Sequence, residues 1–517
     1  MNRDDGLARL HEETFDVLVV GGGATGLGAA VDAAARGYRT ALIEAEDFAK
    51  ATSSRSTKLV HGGVRYLQQG DIGLVREALR ERTALRANAP HLVHDLAFVV
   101  PAYARTDVAY YGIGLKLYDL LAGRSGFPPS RVVSRKRAQE LIPALAADGM
   151  RGAVVYSDGQ FDDARLAITL ARTAVDRGAA VANYVRAIGF RYEGTRVAGV
   201  QAVDRESGRE LEIRARTVIN ATGIFVDALR ALDDRGAAPL LTYSRGSHVV
   251  VAAEALGGAS AALLVPKTRD GRVLFAVPWH EHVVIGTTDI PAPHAELDPV
   301  PTQTEVAFIL ETVNRFLAKH LAESDVRAAF AGLRPLVNRK ATTTAKLSRE
   351  HVIDVSASGV VSITGGKWTT YRKMAEDVVD VAAQRGGLPR KPSPTATMPL
   401  HGATHDGAAG DALRVYGTDA DAIVSLGKHD AALRARFHHR LPYTRAEVLY
   451  AARAEMARTV DDVLARRTRA LFLDTEAARE SAPAVAALLA EALGRDETWQ
   501  TQQVAAFETI VRTTRDA

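Results

Sequence analysis

An α/β architecture in three parts is predicted for this chain: a nucleotide-binding domain, an antiparallel β-rich domain interleaved with it, and a helical C-terminal domain. Three features point to it. Phe15–Val20 is an apolar run ending in Gly21-Gly22-Gly23-Ala24-Thr25-Gly26, and a helical pattern follows. Between about 181 and 290, short β runs are punctuated by Glu193-Gly194, Ser207-Gly208 and Asp270-Gly271. Beyond Pro389-Arg390-Lys391-Pro392-Ser393-Pro394, the clearest linker, the pattern is almost wholly helical. The 517 residues suffice for two or three domains. A composition of 47% hydrophobic and 24% charged residues excludes a disordered chain.

Taken in order, Leu27, Ala30, Val31 and Ala34 form one helical face that stops at Gly37, and Thr40–Ile43 is a second strand closed by Glu44. From Ala51 to Tyr66 the chain is polar, small and glycine-broken, the character of backbone wrapping a ligand. A helix is predicted over about 71–87, with Ile72, Val75, Leu79 and Leu85 interleaved with Arg76, Arg80, Arg82 and Arg86 in what reads as a solvated arginine face. Thr217–Asn220 feeds Ala221-Thr222-Gly223, and Ala262–Val265 and Val273–Val277 flank the Asp270-Gly271 turn. Thr302 with Glu305 forms a capping box for a helix carrying Val306, Leu310, Val313 and Leu317. Val360–Thr364 leads into Gly365-Gly366-Lys367-Trp368-Thr369-Thr370 and a helix to about Ala383. Thr444 and Glu447 cap a helix with Val448, Ala452, Met456 and Val460 at every fourth position. The predicted segmentation of 12–388 gives about 12–70, 150–225 and 345–388 to the nucleotide domain and about 71–149 and 226–344 to the substrate domain, with 395–517 helical.

Several chemistries are excluded. Cysteine is absent, which removes disulfides, iron–sulfur clusters, zinc–thiolate sites, thiol catalysis and a cysteinyl–flavin link. No metal site is predicted. A net charge of +4 gives no case for nucleic-acid binding. Met1–His11 is charged, without the apolar core of a signal peptide. The most apolar stretch, Tyr110–Gly123, carries Lys116 and Asp119, so any membrane association is expected to be peripheral.

Gly21-x-Gly23-x-x-Gly26 sits where a side chain would collide with the turn, a pyrophosphate or the packed helix, and Glu44 stands at the spacing for ribose hydroxyls. NAD and FAD both use such a unit. An NAD domain would continue into further parallel strands and helices. This chain instead presents the Ser/Thr-Gly run at 52–63, a β-meander into Ala221-Thr222-Gly223, and Gly365-Gly366 before a helix. A helix N-terminus aimed at the flavin N1/C2=O edge stabilises the charge that builds when hydride adds at N5, so the order of elements favours FAD.

The stretches Gly21–Glu44, Ala51–Ser54 and Lys58-Leu59-Val60-His61-Gly62-Gly63-Val64-Arg65-Tyr66-Leu67 carry a resemblance, as do Asp162–Leu166, Asn220–Gly223 and Gly246-Ser247-His248. Ile285–Asp289, Gly332–Pro335, Gly365–Lys373 and the Arg466-Arg467-Thr468-Arg469 core of Glu455–Leu473 extend it over nearly the whole chain. Together they resemble the respiratory, FAD-dependent glycerol-3-phosphate dehydrogenases. Trp368 and Arg245 depart from the expected pattern, and 400–440 matches poorly. The resemblance implies a Rossmann-like FAD domain of the glutathione-reductase and D-amino-acid-oxidase kind, and oxidation of sn-glycerol 3-phosphate to dihydroxyacetone phosphate by hydride transfer to flavin N5. It also implies electron transfer to a membrane quinone by a cytoplasmic homodimer bound peripherally to the inner face of the cell membrane. Some relatives use oxygen instead. Two alternatives stay open: a related flavin oxidoreductase for an amino or hydroxy acid, and a flavoprotein whose FAD is not turned over.

A dianionic phosphate requires converging cations, and Arg65, Arg334, Arg349 and Lys367 are the candidates, with Tyr66 as a hydroxyl donor. His61 is the first choice for proton acceptor, beside Gly62 and Gly63, which let backbone and ring approach the isoalloxazine. His248 is its rival, and Arg334 is a candidate to stabilise a developing alkoxide. Ser53, Ser54 and Lys58 are expected on the pyrophosphate or ribityl chain, and Ala221, Thr222, Gly223, Gly366 and Thr369 on the cofactor. Asp163 and Arg165 read as structural residues at a helix start.

Overall fold

The structure is a computed structural model and describes every residue except 64–70, 124–126, 267, 269, 270, 339–350, 406–410 and 516–517. Two sheets and a helical domain organise it. In the first sheet the strands run in the order His351–Val355, Val361–Gly365, Glu210–Asn220, Thr14–Val20, Thr40–Ile43, Ala180–Ala182. All pairs are parallel except the first, and Val185–Glu193 and Arg196–Asp204 extend Glu210–Asn220 as an antiparallel meander. Val17, Leu18 and Val19 are fully buried, as a central parallel strand covered on both faces requires. Helices Ala24–Ala35, Asp163–Asp176 and Tyr371–Arg385 contribute to one core cluster with these strands.

The second sheet runs Ile290–Ala292, Leu241–Ala252, His282–Gly286, Leu274–Trp279, Ala262–Val265, Val93–Ala102, Gly152–Phe161, Leu59–Val60, with Val326–Val337 added on Leu241–Ala252 and Arg131–Val133 on Gly152–Phe161. The pairing crosses the expected segmentation at two strands. Leu59–Val60 and Gly152–Phe161 fall in segments assigned to the nucleotide domain, yet both are strands of the second sheet. The chain returns to the first layer only after Phe161, where Asp162 caps helix Asp163–Asp176.

The capping boxes at Thr302/Glu305 and Thr444/Glu447 are both present. The second helix, however, is Arg445–Ala454: Met456 is left-handed (φ 54°), so it and Val460 lie beyond the helix. Glu455 turns inward there to meet Arg165 in two hydrogen bonds of 2.8 and 2.7 Å. The arginine face of helix Ile72–Asn88 is also corrected. Arg76 and Arg80 are exposed, but Arg82 is buried 2.5 Å from Asp158 and Arg86 reaches Asp95 at 2.8 Å. Strand Gly152–Phe161 carries the counter-ion beneath the helix, which no local periodicity reveals. Asp270 of the predicted hairpin lies outside the described residues; its flanking strands do pair.

The helical domain (Ala420–His429, Arg445–Ala454, Thr475–Leu493, Glu497–Arg515) is joined to the first layer by ion pairs, buried at Arg165–Glu455 and partly exposed at His401. His401 bridges Asp176 (2.5 Å) and Asp419 (2.8 Å). Burial opposes its charge, but the two carboxylates prevail and raise the imidazole from 6.5 to about 9. A group whose pKa rises on folding stabilises fully below its unfolded value and loses that contribution as pH climbs through the folded one. The melting temperature of the wild type is therefore expected to exceed that of His401→Gln most below pH 6.5, with the gap closing as pH passes about 9. Melting curves of both proteins across that range check it; a gap independent of pH would contradict the clasp.

Candidate active site

A cavity of about 840 Å³ lies at the C-terminal ends of Thr14–Val20, Glu210–Asn220 and Val361–Gly365 and is closed on its other side by the second sheet. That is the place where parallel sheets of this kind hold nucleotides. Gly21 (φ 113°) makes the tight turn after the first strand. A Cβ on Gly26 would overlap the Gly21 carbonyl oxygen, so only glycine lets helix Ala24–Ala35 pack that close. The helix has no side-chain cap from Gly23, and Ser53 Oγ accepts from the Ala24 N–H at 3.0 Å. Its remaining first-turn N–H groups suit a pyrophosphate.

Glu44 lines the same end and accepts from the N–H groups of Gly22 (2.5 Å) and Glu46 (2.8 Å). Burial pushes its carboxyl up to about 7, with the two N–H groups opposing. Val185, Ala187 and Leu229 give apolar walls nearby, fit for a flat ring. At the opposite end Gly365 (φ 83°) and Gly366 (φ 71°) lead into the turn Trp368–Thr370, which has no side-chain cap and precedes helix Tyr371–Arg385. A glycine cradle, an acidic residue at the ribose position and two uncapped helix starts on one cavity fit a dinucleotide of the FAD type.

The facing wall is built by register. On Leu241–Ala252, Val326–Val337 and His282–Gly286, Gly246 pairs with Gly332, Ser244 with Arg334 and His248 with Gly286. A Cβ on Gly246 would overlap the Arg334 guanidinium, and one on Gly286 the His248 ring, so each glycine makes room for a neighbour's side chain. Arg334 donates to Thr287 Oγ1 (3.0 Å) and the Thr288 carbonyl (3.1 Å), and lies 3.4 Å from Asp289. His248 stacks on Phe330 at 4.8 Å, and its Nε2 lies 2.9 Å from Thr57 Oγ1. Burial, with Lys58 and Arg334 adding to it, holds this imidazole well below 6.5 and therefore neutral. His61 is half-buried on the cavity wall, its N–H 3.3 Å from Thr369 Oγ1.

Of the residues expected at the site, Gly21, Gly23, Glu44, Ser53, His61, Ala221, Thr222, Gly223, His248, Arg334, Gly366, Lys367 and Thr369 line the cavity together. Arg65, Tyr66 and Arg349 lie outside the described residues. Gly26 supports the turn from behind. Four others do not line the cavity. Lys58 is turned away from the cavity: its Nζ lies 2.9 Å from the Ser54 carbonyl and 2.7 Å from Asp163, and burial pushes the ammonium down to about 7, Asp163 opposing and Arg469 assisting. The Ser54 side chain is buried behind the lining. Gly62 faces Tyr118, whose hydroxyl takes its N–H at 2.7 Å, and Gly63 is buried off the cavity wall.

Thr57 and Trp368 are among the lining residues to which the sequence assigns no role at the site. Thr57 meets His248, and the indole of Trp368 donates to the Ser53 carbonyl at 2.8 Å, which gives that departure from the expected pattern a task in shaping the loop. Both sit inside recognised motifs, Thr57 beside Lys58 and Trp368 between Lys367 and Thr369, and that proximity is the available signal.

The family pattern for FAD dependent oxidoreductases matches residues 16–372, and that for the C-terminal domain of alpha-glycerophosphate oxidase matches 360–500. Mitochondrial glycerol-3-phosphate dehydrogenase of Macaca fascicularis is 40% identical over 533 residues, covering 95% of this chain and 72% of that one. The Homo sapiens protein is 40% identical over 530 residues with the same coverage. The crystal structure of glycerol-3-phosphate dehydrogenase from Bacillus halodurans, complexed with FAD, superposes with a TM-score of 0.80 at 31% identity, covering 99% of this chain and 97% of that one.

Proposed function

The chain belongs to the family of FAD-dependent glycerol-3-phosphate dehydrogenases, and on that footing we propose how its residues divide the work and where its electrons go. It is an FAD-dependent oxidoreductase that oxidises sn-glycerol 3-phosphate, whose C2 alcohol becomes the ketone of dihydroxyacetone phosphate. Bound FAD supplies the acceptor for the hydride leaving C2. The Gly21–Gly26 turn and helix start hold its pyrophosphate, Glu44 its ribose hydroxyls, and Gly365–Thr369 its ring end.

Arg334 and Lys367 take the substrate's anionic groups, with Arg65, Tyr66 and Arg349 in the places the family resemblance gives them. The Arg334 guanidinium, oriented by Thr287, Thr288 and Asp289, also stabilises charge developing on the C2 oxygen. The C2 hydroxyl proton goes to the His61 imidazole on the cavity wall, whereas the His248 Nδ1 is buried and its Nε2 is engaged with Thr57. The observation that carries this reading is a single cavity with a nucleotide-type turn on one wall and Arg334 and His248, registered by glycines, on the other.

The electrons go to a membrane quinone, with the enzyme a homodimer on the inner face of the cell membrane. Support comes from helix Arg105–Ala122, which exposes Tyr110 (61%), Ile113 (73%), Leu117 and Leu120 (76%), with Val132 of the neighbouring strand also exposed; Lys116 on the helix and Arg131, Arg135 and Lys136 in the segment that follows are exposed too. An exposed apolar face with basic residues in the adjoining segment suits an anionic bilayer surface. No helix among the described residues is long and apolar enough to cross a membrane. The same helix carries Tyr118, bonded to Gly62 next to His61, and so joins this face to the cavity.

Anaerobic mixing with glycerol 3-phosphate is expected to bleach the absorbance near 450 nm, and a quinone analogue to restore it faster than air does. Leu117→Glu with Leu120→Glu is expected to bleach equally fast but to lose binding to vesicles containing phosphatidylglycerol. Faster recovery in air would point to an oxidase, and undiminished vesicle binding would refute the proposed face.

A further inference from the structure

Two basic residues that line no part of the cavity converge on one carbonyl behind it. Lys58, at the end of the cavity loop, and Arg469, in the C-terminal domain, donate to the Ser54 carbonyl at 2.9 and 2.7 Å. Both also bind Asp163, Lys58 at 2.7 Å and Arg469 at 3.1 Å, and all three side chains are at most 1% exposed. Asp163 additionally accepts from the Ser56 N–H (3.0 Å) and hydroxyl (2.7 Å). Lys58 and Arg469 are each non-glycine residues with φ of 65°. That conformation persists where surroundings over-determine it, and such residues gather at functional sites.

Buried ion pairs are weak devices for stability, because desolvation offsets their attraction; what they supply is one fixed geometry. The geometry held here is that of Ser53–Thr57. Ser53 meets the nucleotide helix at Ala24, Trp368 holds the Ser53 carbonyl, and Thr57 meets His248. The C-terminal domain grips the preceding residues too: Asp47 accepts from Arg466 at 2.5 Å and from Arg467 at 2.7 and 2.9 Å, and Lys50 reaches Asp461 at 2.6 Å.

We propose that Lys58, Asp163 and Arg469 are positioning residues that fix the cavity loop Ser53–Thr57, so that docking of the C-terminal domain and retention of FAD are coupled. This rests on FAD occupying the cavity. The coupling is reciprocal: a domain that tightens the cofactor is tightened by it, by the same factor.

The test measures release of FAD from purified holoenzyme on dilution, at one temperature, for wild type, Arg469→Met, Arg469→Lys and Arg479→Met. Arg479 lies in a half-exposed ion pair with Glu476 of the same domain and touches no cavity loop, so it controls for loss of domain stability alone. Arg469→Met is expected to release FAD about 10- to 100-fold faster, Arg469→Lys by a smaller factor, and Arg479→Met at the wild-type rate. In parallel, hydrogen exchange over residues 462–473 of the wild type is expected to slow when FAD is bound. That second measurement stands even where Arg469→Met does not fold. Release from Arg469→Met within about twofold of wild type overturns the coupling, as does exchange indifferent to FAD. A colourless wild type would instead defeat the cofactor assignment itself, so the two failures are told apart.

Discussion

Arg334→Met is expected to lower kcat/KM for glycerol 3-phosphate by about 10³-fold while FAD stays bound, a loss of about 4 kcal/mol of transition-state stabilisation. The side chain reaches the cavity from the C-terminal part of strand Val326–Val337, and its guanidinium is already held by Thr287, the Thr288 carbonyl and Asp289. It therefore needs little reorganisation to meet an anion. Methionine keeps the stem's packing and removes the charge and all five donors. Arg334→Lys restores a charge without the planar fork and is expected to recover only part of the loss. Flavin retention should not change, because Arg334 lies on the wall opposite the Gly21–Gly26 turn. Steady-state kinetics with the 450-nm absorbance of the purified variant check both halves. A drop below about tenfold would remove Arg334 from the anion site.

Gly26→Ala is expected to yield protein nearly devoid of flavin. The added methyl would overlap a backbone carbonyl, that of Gly21, and crowd the Ala221 methyl, so neither neighbour yields by rotating a side chain. The helix start must move away from the turn, carrying with it the N–H groups meant for the pyrophosphate. Overpacking of this kind costs about 1–3 kcal/mol in folding and, at a site of close approach, the ligand as well. Gly114→Ala is the matched contrast. Nothing stands within 4 Å of its Cβ position on helix Arg105–Ala122. An alanine there is expected to keep full flavin and to stabilise the helix by roughly 0.5–1 kcal/mol. The ratio of 450-nm to protein absorbance distinguishes the two; equal flavin content in both variants would contradict the packing account.

Much of this site was readable along the chain because its requirements are local. Gly21, Gly23 and Gly26 serve one turn and one helix start, Glu44 follows at the end of the next strand, and Thr302/Glu305 and Thr444/Glu447 each close a capping box within four residues. Such features depend on sterics and hydrogen bonds between near neighbours, so residue type and spacing suffice. Lys58 is the opposite case: in a loop of ligand-wrapping character a lysine suggests the pyrophosphate or ribityl chain, and only the fold brings Asp163 and Arg469 against it. Arg82 was given to solvent because its periodicity matched an exposed face, until strand Gly152–Phe161 placed Asp158 beneath it. Met456 kept the helical spacing, yet the chain turned there so that Glu455 meets Arg165.

From residue order alone follow the nucleotide-binding turn, the interleaving of a β-rich domain, the helical close and the candidate cations and histidines. Which strands belong to which sheet, which basic residues line the cavity and which lie behind it, and how deeply His248 is buried are decided in three dimensions. The physical reason is range. Turn and cap geometry is decided by atoms a few residues apart, whereas the fate of a charge depends on burial and on partners that only the packed layers bring within 3 Å or so.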